Sequence, residues 1–160
     1  LCLELYAHYP ALLATLQQRG FCVAVDTGWP PAGWSDALRL QIAAWLADCD
    51  WLLLNEVEAL GLAGAELLEQ SGKQLSARLS GRGGCVIKCG AEGARLWSAA
   101  SVQFAAAQPV TVVDTIGAGD SFNAGFLTAL LYQHSSHTAL RWGIDVASQA
   151  ISSSPRRYPS

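Results

Sequence analysis

Hydrophobic residues along the chain form short continuous runs that alternate with longer segments of helical periodicity. Three runs predict strands: Phe21–Val25, Trp51–Leu54 and Cys85–Lys88. A continuous apolar run indicates a strand that is buried on both faces. Apolar positions three and four apart predict helices over Tyr9–Gln18, from Ser35 or Asp36 to about Ala47, over about Gly64–Leu79, Asp120–Gln133 and Thr138–Ser152, and a short helix that begins at Asn55.

Two further segments, Ala94–Trp97 and Ser101–Ala105, are predicted as a pair of antiparallel strands, and Leu1–Leu5 is a short apolar opening. Because strands alternate with helices, the pattern predicts an α/β fold with a mostly parallel sheet flanked by helices. No internal repeat or linker is recognisable, so the whole chain, 1–160, is interpreted as part of a single domain.

The composition argues against several classes of protein. Hydrophobic residues make up 51% of the chain, which allows a buried core, and the formal net charge of −3 comes without a basic stripe for nucleic acid. The only basic cluster, Arg156–Arg157, is interpreted as a solvated tail. No stretch reaches the roughly 18 apolar residues that span a membrane. We therefore expect neither a nucleic-acid nor a membrane partner.

The five cysteines, at positions 2, 22, 49, 85 and 89, are odd in number and irregularly spaced. Cys22 and Cys85 lie in runs that predict buried strands. These features favour free thiols in a reducing, cytoplasmic setting over a disulfide framework. Cys85 and Cys89 would lie roughly 13 Å apart on one strand, which is too far for a shared metal.

The segment Asp114–Asn123 carries the most informative sequence of the chain. Gly117 and Gly119 flank Ala118 at the predicted start of a helix. Glycine permits a sharp turn and lets an anion approach the backbone, and the first N–H groups of a helix lack partners at the positive end of its dipole. The segment is therefore predicted to hold a phosphoryl group through backbone N–H groups.

Asp120 stands at the same helix start. Its carboxylate is placed to accept the proton of a hydroxyl that attacks a phosphoryl group. The alternative interpretation is that Asp120 only caps the helix, because aspartate is favoured at the N-cap.

The string Asp-Thr-Ile-Gly-Ala-Gly-Asp-Ser-Phe resembles the second signature of the ribokinase, or PfkB, family of carbohydrate kinases. The resemblance implies a three-layer, Rossmann-like ribokinase fold in which Asp120 is the catalytic base. It implies an anion hole formed by Gly117, Ala118 and Gly119. It also implies that Asp114 and Thr115 shape the sugar site and a site for a monovalent cation.

Two other segments resemble elements of the same family. Asn55–Glu58 is similar to its Asn-x-x-Glu element, which implies that Asn55 and Glu58 influence magnesium binding. Lys88–Gly93 is similar to a strand and turn that approach the nucleotide phosphates. The implied nucleotide-binding residues are Lys88, Gly90, Gly93 and Asn123. The adenine is expected at Arg141–Ser154, although Ser152–Pro155 stands where the family often has a Gly-Ala pair.

The resemblance implies an enzyme that phosphorylates a hydroxyl of a small carbohydrate, with a sugar and ATP as its small-molecule partners. The implied cofactors are ATP and Mg²⁺, with K⁺ as an optional monovalent cation. A homodimer is left open for the full-length protein. Asp120 favours the sugar or nucleoside branch over vitamin-type kinases of the same superfamily, which usually have cysteine at that position.

Members of the family are about twice as long as this chain, and their N-terminal half supplies the first strands, a sugar-binding Gly-Gly element and a β-sheet lid. None of these precedes Leu1, and the chain contains no Met, so we expect a fragment. A truncated and catalytically inactive remnant is the alternative, and the isolated 160 residues are expected to have little or no kinase activity.

A nicotinamide dehydrogenase with a Gly-x-Gly-x-x-Gly turn is the rival outside the kinases. Phe122 occupies the third glycine position of that fingerprint, and Ala139–Arg141 offers no acidic residue where one is needed. The sequence therefore favours the kinase.

Overall fold

The computed structural model describes residues 8–158. Within this range the helices are α1 (Tyr9–Gln18), α2 (Asp36–Leu46), α3 (Glu56–Ala63), α4 (Leu68–Ser76), α5 (Ala118–Leu131) and α6 (Ser136–Ile151). The strands are β1 (Ala24–Val25), β2 (Trp51–Asn55), β3 (Gly84–Lys88), β4 (Gly93–Ser98) and β5 (Val102–Ala106). The predicted apolar opening Leu1–Leu5, with Cys2, lies outside the described residues.

The five strands form one hydrogen-bonded sheet in the order β1-β2-β3-β4-β5. β1 and β2 run parallel, with Ala24 opposite Trp51 and Val25 opposite Leu52. The sheet is mixed, mostly parallel and flanked by helices, so the predicted α/β class is confirmed. Between residues 8 and 158, no helix is both long and apolar enough to cross a membrane.

The junction of β2 and α3 is fixed by a reciprocal cap. Asn55 Oδ1 accepts the Glu58 N–H, and Glu58 Oε2 accepts the Asn55 N–H, both over 2.8 Å. α3 ends at Gly64, whose φ of 65° gives the left-handed cap that glycine adopts without strain. The helix predicted from Gly64 is therefore wrong at its start, because α4 begins only at Leu68.

The first strand departs from the prediction that Phe21–Val25 is buried on both faces. Only Ala24 and Val25 are in strand conformation, and exposed and buried residues alternate from Cys22 to Val25. Val23 and Val25 are buried, whereas Phe21 is 55% exposed and Cys22 is also exposed. Since successive side chains of a strand point to opposite faces, one face of β1 is buried and the other is exposed.

The described chain forms two compact units. The first contains residues up to 87 together with 96–102, and the second contains 88–95 together with the residues from 103 onward. In the first unit, the Trp97 ring lies directly on Gly72 of α4. A Cβ added to Gly72 would lie 2.2 Å from Trp97 Cδ2, so this packing requires glycine.

The second unit is built around the contact of α5 with α6. Phe122 and Phe126 stack with ring centroids 6.1 Å apart, and both side chains are buried. A Cβ added to Gly143 would lie 2.8 Å from the Phe122 ring, and one added to Gly125 would lie 2.8 Å from the Trp142 carbonyl. The two glycines thus let the helices approach closely, which fixes the position of the α5 N-terminus.

Asp50 organises the first unit at the start of β2 and β3. Its carboxylate, 1% exposed, accepts the Val23 N–H over 2.8 Å and the Ser80 hydroxyl over 2.5 Å. The Arg82 guanidinium binds both carboxylate oxygens, with Nε at 2.7 Å and Nη2 at 3.0 Å. The Asp50 carbonyl accepts the Gly84 N–H over 2.9 Å. One residue thus joins the segments that precede β1 and β3.

Burial alone would raise the pKa of the Asp50 carboxyl. The hydrogen bonds from Ser80, from the Val23 N–H and from Arg82 outweigh burial and hold this pKa below its ordinary value of 3.8. A carboxyl whose pKa is depressed by folding stabilises the fold above its unfolded pKa, and this contribution disappears as the pH falls through the folded pKa.

We predict that Asp50→Asn lowers the free energy of unfolding by about 2 kcal/mol at pH 7, the typical worth of hydrogen bonds to a charged group. The deficit relative to wild type should begin to shrink as the pH falls below about 4, where the unfolded state takes up a proton at Asp50, and should disappear once the pH falls through the lower pKa of folded Asp50. Urea unfolding of both proteins at pH 7 and at pH 3 measures the two differences.

Asp48→Asn is the matched control, since Asp48 lies two residues away and is only half-buried. It should change the stability by a few tenths of a kcal/mol. Equal losses for the two variants at pH 7, or a deficit of Asp50→Asn that does not depend on pH, would contradict the assigned role.

Candidate active site

The signature segment folds into a turn that leads directly into α5. α5 begins at Ala118, two residues before the predicted start, and Gly117 is its N-cap with φ 71° and ψ 14°. A residue with a side chain adopts this left-handed conformation at a cost, which explains the glycine. Asp120 therefore lies in the first turn of the helix, so the alternative that it is the N-cap is wrong.

Backbone N–H groups are left without partners at this helix start. The Ala118 N–H donates to the Thr115 carbonyl over 3.1 Å. Among residues 8–158, the N–H groups of Gly117, Gly119 and Asp120 have no acceptor. Three donors thus remain at the positive end of the helix dipole, the arrangement that binds an anion.

The Asp120 carboxylate lies beside these donors and is exposed. Its Oδ2 is 3.9 Å from the point that a Cβ on Gly117 would occupy. An exposed carboxylate next to an anion site is accessible to the hydroxyl of a substrate and can accept its proton.

Lys88 reaches the same turn from the end of β3. Its Nζ donates to Asn123 Oδ1 over 3.2 Å. The same Nζ lies 3.4 Å from the point that a Cβ on Gly119 would occupy. The structure therefore brings together three residues that the sequence analysis assigned to the nucleotide and phosphate site, although they are up to 35 positions apart.

The turn after Lys88 requires its two glycines. Gly90 and Gly93 have φ values of 54° and 120°, which other residues rarely adopt. The Cys89 N–H donates to the Gly93 carbonyl over 2.8 Å and closes the turn. A Cβ on Gly93 would lie 2.0 Å from the Ala105 carbonyl, so this position also lacks room for a side chain.

A cavity of about 540 Å³ opens beside this turn in the second unit. Its lining includes site residues predicted from the sequence: Lys88, Gly90, Gly93, Thr115, Ala118 and Gly119. It also includes one face of α6, within the segment where the adenine is expected: Ile144, Ala147, Ser148 and Ile151. The volume and the mostly apolar walls are typical of a small-molecule site.

Sequence reasoning missed the segment 107–112, which contributes Ala107, Gln108, Pro109, Val110 and Val112 to the cavity. This segment has neither strand nor helical periodicity, so its pattern carried no signal. The α6 residues do carry a signal in the sequence, because positions 144, 147, 148 and 151 have the spacing of a single helix face.

Arg156 is not the solvated residue that the sequence suggested. Its Nη2 donates to Asp114 Oδ2 over 2.8 Å and also to the Ile116 carbonyl. The other oxygen of Asp114 accepts the Ile116 N–H over 3.0 Å. The Ile116 N–H, followed by the Arg156 guanidinium, holds the pKa of the Asp114 carboxyl below its ordinary value. The neighbouring Arg157 is exposed, as expected for a tail.

Asn55 and Glu58 belong to the first unit, where their side chains form the cap of α3. Glu58 is 8% exposed, and its Oε1 has no hydrogen-bond donor among the described residues. The cap accounts for both side chains, and their role toward magnesium stays a prediction. No group of three or more His, Cys, Asp or Glu side chains with metal-binding geometry occurs within residues 8–158.

Comparison with known proteins supports the kinase interpretation. The family model described as pfkB family carbohydrate kinase matches residues 6–159. A 1-phosphofructokinase from Escherichia coli (strain K12) is 39% identical over 124 residues, which cover 74% of this chain and 39% of that protein. A fructoselysine 6-kinase from the same strain is 45% identical over 62 residues, which cover 39% of this chain and 23% of that protein.

The fold is also shared with solved kinases. A fructokinase double mutant from Vibrio cholerae O395, in its fructose, ADP and potassium ion bound form, superposes with a TM-score of 0.76 at 23% identity. The match covers 89% of this chain and 48% of that chain, so the present chain spans less than half of the relatives compared here. The predicted ribokinase fold is confirmed. The chain belongs to the pfkB family of carbohydrate kinases.

Proposed function

We propose that the chain is the nucleotide-side part of an ATP-dependent kinase that phosphorylates a hydroxyl group of a small carbohydrate. The observation that carries this proposal is the first turn of α5, where unpartnered N–H groups lie with the Asp120 carboxylate beside Gly117 and the Lys88 ammonium beside Gly119. Such a set of donors, one cation and one general base is what phosphoryl transfer requires. Sugar kinases among the relatives support the acceptor class.

The cavity beside α5 is the proposed nucleoside site. Its apolar walls suit a purine ring, and its polar end at Lys88 and Gly119 suits the phosphate groups. A nucleotide seated in this way directs its terminal phosphoryl group toward the N–H groups of Gly117, Gly119 and Asp120. These N–H groups are held by the helix and need no reorganisation when charge develops on the phosphoryl oxygens.

Asp120 is the proposed base that accepts the proton of the sugar hydroxyl. The phosphoryl-transfer transition state is loose, so the proton leaves late and the position of the base matters more than its strength. Asp114 and Thr115 are proposed to shape the sugar side of the same turn. The identity of the sugar is left to an acceptor screen that includes hexoses, hexose phosphates and nucleosides.

Magnesium would accompany ATP, and the residues assigned to it are chemically suited to the ion. Asn55 and Glu58 offer amide and carboxylate oxygens, the hard ligands that Mg²⁺ prefers. The reciprocal cap of α3 holds both side chains and leaves Glu58 Oε1 without a protein donor in the described part of the chain. Bound Mg²⁺ would neutralise the charge of the ATP phosphates.

We predict that Asp120→Asn lowers kcat for sugar phosphorylation by between about 10²-fold and 10⁴-fold, the usual contribution of a general base. The KM for ATP should change little, because the carboxylate acts on the acceptor hydroxyl. Steady-state kinetics of the intact protein that carries this sequence, with the acceptor found in the screen, measure both constants.

Asp145→Asn is the matched control, since Asp145 is an exposed carboxylate on α6 that the proposed chemistry does not use. It should leave kcat within about twofold of wild type. Turnover by Asp120→Asn at the wild-type rate would show that the proposed base is wrong.

We predict that Lys88→Met lowers the affinity for ATP about tenfold, which corresponds to about 1.4 kcal/mol for one charge-assisted hydrogen bond. Methionine keeps most of the apolar stem, so the affinity for adenosine should stay the same. Isothermal titration of the chain with each ligand gives the two affinities.

Lys73→Met is the control, because Lys73 pairs with Glu69 on the surface of the first unit. It should leave the affinities for ATP and adenosine unchanged. A loss of adenosine affinity as large as that of ATP affinity in Lys88→Met would place Lys88 at the nucleoside and not at the phosphates.

A further inference from the structure

The turn at residues 114–117 is built around the guanidinium of Arg156. One nitrogen, Nη2, donates to the carboxylate of Asp114 over 2.8 Å and to the main-chain carbonyl of Ile116. The other terminal nitrogen, Nη1, lies 3.1 Å from the point that a Cβ on Gly117 would occupy. A positive group of the chain itself thus sits where a carboxylate oxygen and a carbonyl oxygen converge.

Convergent carboxylate and carbonyl oxygens are also the ligands that a hard cation takes from proteins. The sequence resemblance implies a monovalent cation near Asp114 and Thr115, and one solved relative is described in a potassium ion bound form. In this chain, however, the two oxygens already bind Arg156. A second cation on them would lie beside the guanidinium and be repelled by it. The residues present therefore do not fit a potassium ion.

The turn is anchored on its other side by the end of α6. The N–H groups of Val113 and Asp114 both donate to the Ile151 carbonyl, over 2.8 Å and 3.2 Å. Arg156 follows Ile151 by five residues. The turn is therefore held both by the carbonyl at the end of α6 and by the guanidinium of Arg156. The conformation of this turn decides where the Gly117 N–H points, because Gly117 is the N-cap of α5.

We propose that Arg156 supplies the positive charge that a monovalent cation would otherwise bring to the 114–117 turn, so that the turn and the α5 anion site keep their conformation without potassium. Arg156 is thus a positioning residue, since it acts on the anion site through Asp114 and Ile116. The effect on phosphate binding rests on the proposed function, whereas the effect on the turn itself does not.

The test compares wild type with Arg156→Met in potassium chloride and in tetramethylammonium chloride at the same ionic strength. Two quantities are measured on the chain in each salt: the thermal unfolding midpoint and the affinity for ADP. Wild type should show the same midpoint in both salts and affinities within about twofold. Arg156→Met should lose affinity about tenfold in tetramethylammonium, and potassium should restore both its midpoint and its affinity.

Arg157→Met removes the same charge from the adjacent, exposed position and should behave as wild type in both salts. Three results would overturn the proposal: a wild-type midpoint or affinity that depends on potassium, an Arg156→Met variant that equals wild type in both salts, or a defect of this variant that potassium does not restore. If no form of the chain binds ADP in either salt, the proposed function fails, and the unfolding midpoints still decide the role of Arg156.

Discussion

The buried carboxylate of Asp50 is the constraint on which the order of the first strands depends. A buried carboxylate without partners is costly, so the chain must bring the Val23 N–H, Ser80 and Arg82 to it. These partners precede β1 and β3, and Asp50 itself precedes β2. Satisfying one charge therefore aligns the starts of three strands.

In the second unit, the corresponding constraint is the close approach of α5 and α6. Gly125 and Gly143 leave no room for a Cβ, and the Phe122 ring packs against the second of them. α5 is thereby fixed against α6, and its first turn is held at the edge of the cavity that α6 lines. The unpartnered N–H groups at Gly117, Gly119 and Asp120 are useful to a ligand only because this packing holds them in place when no ligand is bound.

Local patterns in the sequence predicted what local interactions determine. The run Trp51–Leu54 gave a buried strand, Asn55 and Glu58 stood at the correct start of a helix, and the glycines near residue 117 marked a turn whose N–H groups lack acceptors among the described residues. The start of α5 was misplaced because aspartate is usually favoured at an N-cap, whereas here the turn geometry requires the left-handed Gly117. The exposure of one face of β1, and the contribution of segment 107–112 to the cavity wall, depend on the elements that pack opposite them. A local run of apolar residues carries no information about those elements.

Arg156 is the most instructive of the missed residues, because its partner lies 42 positions earlier and two adjacent arginines look alike in a polar tail. Exposed ion pairs contribute little individually, and Asp114 is about half exposed. The backbone after α6 supplies the missing constraint: the Ser153 hydroxyl donates to the Gln149 carbonyl over 2.8 Å and accepts the Arg157 N–H over 2.7 Å. This turn folds the tail back toward the signature segment, so the pair with Asp114 forms at a reduced entropic cost. Ser153, which stands where the family often has a Gly-Ala pair, thus helps to place Arg156 beside the signature segment, and the polar composition of the tail gives no sign of that contact.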